Sequence, residues 1–235
     1  VEGVKQLALK TGRHYEIEGV GRFPSVTNIL GKTSDKSFLI EWKKRIGEKE
    51  AKRISTYSAS RGTVMHKLLE LHLLNPEVIV DDAWVDLQLQ SMKYKEDAKE
   101  GGRALFNKFM NYTDSYTGRI KESLANEVFL WSEKGGGYAG TVDNVSIMHD
   151  GSVKIIDFKS SNKPKRDAWI NDYFLQVSAY AIAYWERYNI APTGGEIWIA
   201  NEIDEEPQNF TMTLNDIKHY FKEFKERLNQ YYKTV

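Results

Sequence analysis

A chain of 235 residues, 41% hydrophobic and 28% charged, is long enough to bury one sizeable core. It contains no cysteine, which excludes disulfides, thiolate nucleophiles, iron–sulfur clusters and cysteine-based zinc sites. Any metal must then be held by carboxylate, imidazole, backbone oxygen or water, a set that favours hard cations such as Mg²⁺ or Mn²⁺. The 33 basic and 33 acidic side chains cancel, and no apolar run approaches the ~18–20 residues of a bilayer span, so no membrane partner is expected. A secretory signal is missing too, although the chain opens with Val1 and a removed leader stays open.

Charge is uneven along the chain. Residues 1–70 carry 14 Lys/Arg against 8 Asp/Glu, and the remainder 19 against 25. That division suits a protein that grips phosphates in one region and metal in another, and equally a chance distribution over solvated faces.

The alternating stretch from Tyr15 to Phe23, interrupted by Gly19-Val20-Gly21, predicts a small hairpin. Pro24-Ser25 reads as a helix start, and a longer helix is expected from about Ser37 to Ile54 with Trp42, Lys43, Lys44, Arg45, Lys49, Lys52 and Arg53 on it. Ser60 is a candidate cap for another helix, with Val64, Leu68, Leu71 and Leu74 as its apolar stripe. Helix is expected over 81–116, broken at Gly101-Gly102. Strands follow at about 123–131, 138–148 and 152–158, then a helix over 168–188, strands at 196–200 and 210–213, and an amphipathic helix from Leu214 to Tyr232. The sum is one domain over 1–235: a helical, basic front half to residue 119, then an α/β core over 120–235.

The strongest local signal runs from Tyr138 to Ser161. His149-Asp150-Gly151 is a turn signal between two β-rich runs, so an antiparallel hairpin is expected. Centring the turn on Asp150 sets Val145 opposite Ile155 and Ile147 opposite Val153. On the same side Asp143 then falls opposite Asp157, and Thr141 opposite Lys159. Two carboxylates so close repel each other unless a cation lies between them. Lys159 points the same way as Asp157 because side chains alternate along a strand. Two acids and a lysine around one point are what metal-assisted phosphodiester hydrolysis requires.

These residues resemble a known family. Asp143, with Ile156-Asp157-Phe158-Lys159, resembles the D…(D/E)XK signature of the PD-(D/E)XK nuclease superfamily. Arg61 through His66 resembles the upstream histidine motif of its RecB-like exonuclease branch, and Gln176 through Tyr180 the QxxxY motif of that branch. Pro24 to Thr27, the Trp42-Lys43 helix and Lys159 to Lys165 look like the mitochondrial genome maintenance exonuclease type and its viral or bacterial relatives.

The resemblance implies a restriction-endonuclease-like core, a central mixed sheet flanked by helices, behind a helical N-terminal half. It implies one or two Mg²⁺ or Mn²⁺ ions held by His66, Asp143, Asp157 and the backbone carbonyl of Phe158. Lys159 becomes the catalytic lysine, Glu127 an additional acid, and Gln176 and Tyr180 flank the site and touch DNA. Relatives with an iron–sulfur cluster use four cysteines, so that subgroup is excluded.

Lys163, Lys165 and Arg166, directly after the acidic hairpin, are candidate contacts to the nucleic acid, as is Arg61 of the histidine motif. Trp42, Tyr57 and Trp84 in the basic front half would help enclose a strand. The expected activity is hydrolysis of DNA, single-stranded or with free ends, in replication, recombination or repair, with proteins of those processes as partners. Two alternatives stay open: a non-catalytic DNA-end binding module, and a structure-specific endonuclease on the same fold. The expected location is the cytoplasm of a bacterium or virus-infected host, with the mitochondrial matrix also open.

Overall fold

The computed structural model describes residues 3–111 and 116–234. A three-stranded antiparallel sheet opens the chain: β1 (Val4–Leu9), β2 (Gly12–Ile17) and β3 (Gly21–Pro24). The expected hairpin is β2–β3, with Tyr15 opposite Phe23 and Ile17 opposite Gly21. The edge strand β1 was not legible because its exposed and half-buried residues do not alternate with period two. Ser25 caps α1 (Val26–Thr33) by accepting from the Asn28 N–H at 3.0 Å, the helix start expected at Pro24-Ser25.

Two helix boundaries differ from expectation. The break falls at Gly47, so α2 (Ser37–Ile46) is short and α3 (Glu48–Leu74) runs unbroken through Ser60. Gly47 takes φ +84, a conformation that costs glycine little, whereas a serine does not stop a helix whose apolar stripe continues through Val64, Leu68 and Leu69. The second break is not at Gly101-Gly102 but between α4 (Asp82–Ser91) and α5 (Glu96–Met110). The two glycines lie inside α5, where they let it cross α3 closely. A Cβ on Gly102 would come within 2.5 Å of Val64 Cγ1 and 2.9 Å of the Arg61 carbonyl oxygen.

The second half is a five-stranded mixed sheet in the order β4 (Ile120–Ser132), β5 (Tyr138–Met148), β6 (Val153–Ser161), β7 (Gly194–Asn201), β8 (Gln208–Thr213). Only the β6–β7 pair is parallel, joined by the crossover helix α6 (Asn171–Tyr188), and α7 (Leu214–Thr234) closes the chain. This is the α/β fold with a flanked mixed sheet that the sequence pointed to.

Helices cover both faces. Ile155, Ile197 and Ile199 pack with Leu175, Val177 and Phe224 of α6 and α7. Ile156, Phe158, Trp198 and Ala200 pack with Met65, Leu68, Leu69 and Phe106 of α3 and α5. The small sheet joins the large one through a Ser25–Ala139 bridge and a Tyr15–Phe129 ring contact at 4.9 Å. Among the described residues no helix is long and apolar enough to cross a membrane.

Replacing Gly102 by alanine should destabilise the fold by about 1–2 kcal/mol, because overpacking against the α3 backbone outweighs the ~1 kcal/mol helix-propensity gain. Urea unfolding of Gly102→Ala checks this, and a net stabilisation would show that the helices have room to separate.

Candidate metal centre

The β5–β6 hairpin has the register expected from its turn, with Val145 opposite Ile155 and Ile147 opposite Val153. Its ladder ends at Asn144 opposite Ile156. One residue further the strands part, and Asp143 does not pair directly across to Asp157. Its Oδ2 instead accepts the Phe158 backbone N–H at 2.7 Å. The expected pairing of Thr141 with Lys159 is likewise absent, and Thr141 pairs with Phe129 of β4.

The alternation of side chains also breaks here. Val142 and Val145, three residues apart, are both fully buried in the cluster beneath α6. On β4, the residue flanked by the Asn126–Asn144 and Val128–Val142 pairs is Glu127, with φ +47. A non-glycine residue in that region stores strain, and such strain gathers at functional sites.

Into this fork α3 delivers His66. The approach depends on Gly62, one turn earlier, where a Cβ would lie 2.8 Å from Ser160 Oγ of β6. His66 Nδ1 comes to 3.6 Å from Asp143 Oδ2, and its ring meets the edge of Phe158 at 6.2 Å. Ligand atoms of His66, Glu127 and Asp143 all lie within 4.8 Å of one another. One imidazole and two carboxylates converging on a point fit a divalent cation.

The electrostatics point the same way. Burial, then Asp143 and Glu70, push Glu127 up to about 7. Burial also raises Asp143, against the pull of Lys159 and the Phe158 N–H. Burial and Lys159 lower His66 to about 4, so its imidazole is neutral and available at ordinary pH.

Asp157 lies beside this trio, close enough to Asp143 and His66 to feel both charges. It is buried, ion-paired with Lys159, and its Oδ1 accepts from Gln176 Nε2 at 3.2 Å. Burial raises it to about 6, eased by Lys159 and aggravated by Asp143. Burial works against the Lys159 charge, but Asp157 and Asp143 outweigh it and raise its pKa, so the ammonium stays charged. Its Nζ also lies 5.2 Å from the centroid of the Tyr173 ring. Tyr173, Gln176 and Tyr180 share one face of α6 at helical spacing, and Tyr173 is a neighbour the sequence reading missed although that spacing carried it.

A cleft of about 490 Å³ opens onto the centre, lined by His66, Glu127, Asp143, Gln176 and Tyr180. Also lining it are Arg13, Tyr15, Ser25 and Thr27 from the small sheet and α1. Nothing in local spacing connects Arg13 to a site more than a hundred residues away, so it was not legible.

Of the candidate DNA contacts, Gln176 and Tyr180 line this cleft and four others lie outside it. Arg61 is 1% exposed, ion-paired with Glu202 and hydrogen-bonded to Asn162 Oδ1 at 2.9 Å. It ties α3 to two loops and lies outside the cleft. Tyr180 is 3% exposed, so its ring is not open for stacking. Burial raises its pKa well above the usual value, and its hydroxyl engages Gln176. Lys163 and Arg166 are exposed on the loop after β6, with Arg166 over the exposed Trp169 ring at 5.2 Å. Lys165 is half-buried, its backbone pinned by Gln208. None of these three lines the cleft. Trp84 stacks on Phe106 at 6.1 Å in the α3–α5 core.

Residues 34–234 match the model of the PD-(D/E)XK nuclease superfamily. The chain belongs to that superfamily.

Among solved structures it is similar to the "Putative exonuclease" of Eubacterium rectale, 12% identical with TM-score 0.50. That match covers 74% of this chain and 66% of that one, so the present chain spans less than two thirds of its relative and the likeness is one of fold. A second structure, of SSO0001, is 14% identical with TM-score 0.40 over 74% of this chain and 85% of that one. No curated protein matches.

Because Glu127 must shed a proton near pH 7 and Asp143 is also raised, cation affinity should rise as pH increases from 6 to 8. His66, already neutral above about 4, adds nothing to that slope. Calorimetric Mn²⁺ titrations at the two pH values, repeated on Glu127→Gln, read it. Equal affinity at both pH values would remove Glu127 from the ligand set.

Proposed function

We propose that the chain is a Mg²⁺- or Mn²⁺-dependent exonuclease that hydrolyses single-stranded DNA or single-stranded ends, of the RecB-like branch and the mitochondrial genome maintenance type. The observation that carries this is the convergence of His66, Glu127 and Asp143 within 4.8 Å, beside a charged Lys159 held by Asp157.

The cleft supports a single strand. Its volume of about 490 Å³ is that of a small-molecule pocket, room for a nucleotide or two and not for a duplex.

His66, Glu127 and Asp143 would hold the cation, with the Phe158 carbonyl beside His66 as a further oxygen. Bound there, it supplies Lewis acidity that activates water and neutralises phosphate charge. Lys159 places a fixed positive charge where negative charge develops on the phosphoryl oxygens. Asp157 keeps that ammonium charged and aimed, and Gln176 keeps Asp157 from turning away. Arg13, exposed at the cleft lip, is placed to take the neighbouring phosphate.

On this reading the chain acts in replication, recombination or repair, in the cytoplasm of a bacterium or virus-infected host, or in the mitochondrial matrix.

Incubation with end-labelled linear and circular single strands plus Mg²⁺ or Mn²⁺ tests the activity. Linear strands should be degraded and circles spared. Lys159→Ala and Asp143→Asn should each lower the rate by ~10²-fold or more while leaving the circular dichroism spectrum unchanged. Cut circles would make the chain an endonuclease. Intact strands of both kinds would leave a DNA-end binding module.

Replacing Gln176 by alanine should leave affinity for a short strand unchanged and lower turnover by about tenfold, since it frees Asp157 and hence Lys159 without touching the ligand set. Kinetics on a linear oligonucleotide separate these effects. A fall in affinity alone would make Gln176 a binding residue.

A further inference from the structure

A second concavity lies on α3, away from the metal centre. It has a volume of about 540 Å³ and is bounded by the N-terminal turns of α3 and by the segment joining α4 to α5. Lys49, Lys52 and Arg53 line it from α3, and Lys93, Tyr94 and Lys95 from the facing segment. All six side chains are exposed. A single carboxylate, Asp97, lines the same surface.

Most of that positive charge is uncommitted. Arg53 pairs with Glu50 at 2.6 Å, but among the described residues Lys49, Lys52, Lys93 and Lys95 make no ion pair. Four ammonium groups line one concavity, and the single carboxylate there, Asp97, offsets only part of their charge. An external polyanion would offset the rest. Elsewhere on these helices the lysines do find partners, as Lys67 with Glu70 and Lys99 with Glu96.

Aromatic rings accompany the charge. Tyr94 is 38% exposed at the rim. Tyr57 lines the floor, fixed by the Arg61 guanidinium 5.4 Å from its centroid and by the close approach of Gly101. Lysines that track a backbone, with tyrosines offering faces to bases, make a surface for a single strand without sequence preference. An acidic peptide would use the lysines and leave the rings idle.

Continuity with the metal centre gives the groove its direction. The same helix lines both: Lys49, Lys52, Arg53, Thr56, Tyr57 and Ser60 face the groove, and Ser58, Ala59, Gly62, Thr63 and His66 face the cleft. Thirteen residues of α3 separate Arg53 from His66, about 20 Å along the axis.

Resting on the reading that this chain works on DNA, we infer that the groove between α3 and the α4–α5 segment is a second, sequence-independent binding site for single-stranded nucleic acid, holding the strand about 20 Å along α3 from the metal centre. The site makes capture length-dependent. A strand of about two nucleotides fills the cleft alone, and one of about 20 reaches both surfaces.

The test is fluorescence anisotropy with labelled oligothymidylates of those two lengths, in a chelator so that nothing is cut, comparing the unaltered chain with Lys52→Ala/Lys93→Ala/Lys95→Ala. The triple variant should bind the long strand about tenfold or more weakly. Its slope of log affinity against log salt should fall by about 2, at ~0.7 per lost phosphate contact. The short strand should bind as before.

Equal weakening of both lengths, or an unchanged salt slope, would overturn the proposal. So would a groove that binds polyglutamate through these lysines while long-strand affinity is unaffected, which would assign it to an acidic protein segment. Because capture needs no chemistry, failure of Lys159→Ala to abolish cleavage would sink the nuclease site and leave this measurement standing.

Discussion

The hydrogen bond from the Phe158 N–H to the Asp143 carboxylate takes the place of the next rung in the β5–β6 ladder. A buried amide left without an acceptor would cost roughly 1–3 kcal/mol, so the strands can part only where a side chain takes over the backbone's role. By doing so Asp143 opens the sheet at one point. Beyond it β6 continues alongside β7 and β5 alongside β4, and the gap between them becomes the site. His66 of α3 and Gln176 of α6, from helices packed on opposite faces, meet there.

The fork also explains the division of labour among the acids. Side chains that alternate strictly would have put Asp143 and Asp157 against each other. With the alternation broken, Asp143 turns towards Glu127 and His66, and Asp157 stays under α6 with Lys159 and Gln176. The strained backbone at Glu127 belongs to the same device, since its φ of +47 breaks the regular course of β4 directly opposite Asp143. Burial then raises all three carboxylates, so without a cation the site is electrostatically uncomfortable.

The helix α3 organises the rest. Gly62 lets it approach β6, Gly102 lets α5 approach it, and the buried Arg61 anchors it to Glu202 and Asn162. A helix so fixed holds His66 steadily in the fork and carries exposed lysines at its far end.

Local chemistry determined much of this protein by itself. The His149-Asp150-Gly151 turn set the hairpin register, matched apolar pairs included. The alternation of Ile155, Asp157 and Lys159 set which side of β6 carries the acid and the lysine, and the absence of cysteine narrowed the metal chemistry. Helical spacing carried Gln176 and Tyr180 to one face.

Only the tertiary structure decided where the ladder stops, because a side-chain acceptor competing with a backbone rung leaves no periodic trace. It alone revealed that Arg61 is a buried tether, since a motif shows a residue's company in sequence and not its partners in space. It also brought Arg13 to the cleft from another sheet. Those contacts join residues a hundred positions apart, and they form only when elements distant in sequence pack together.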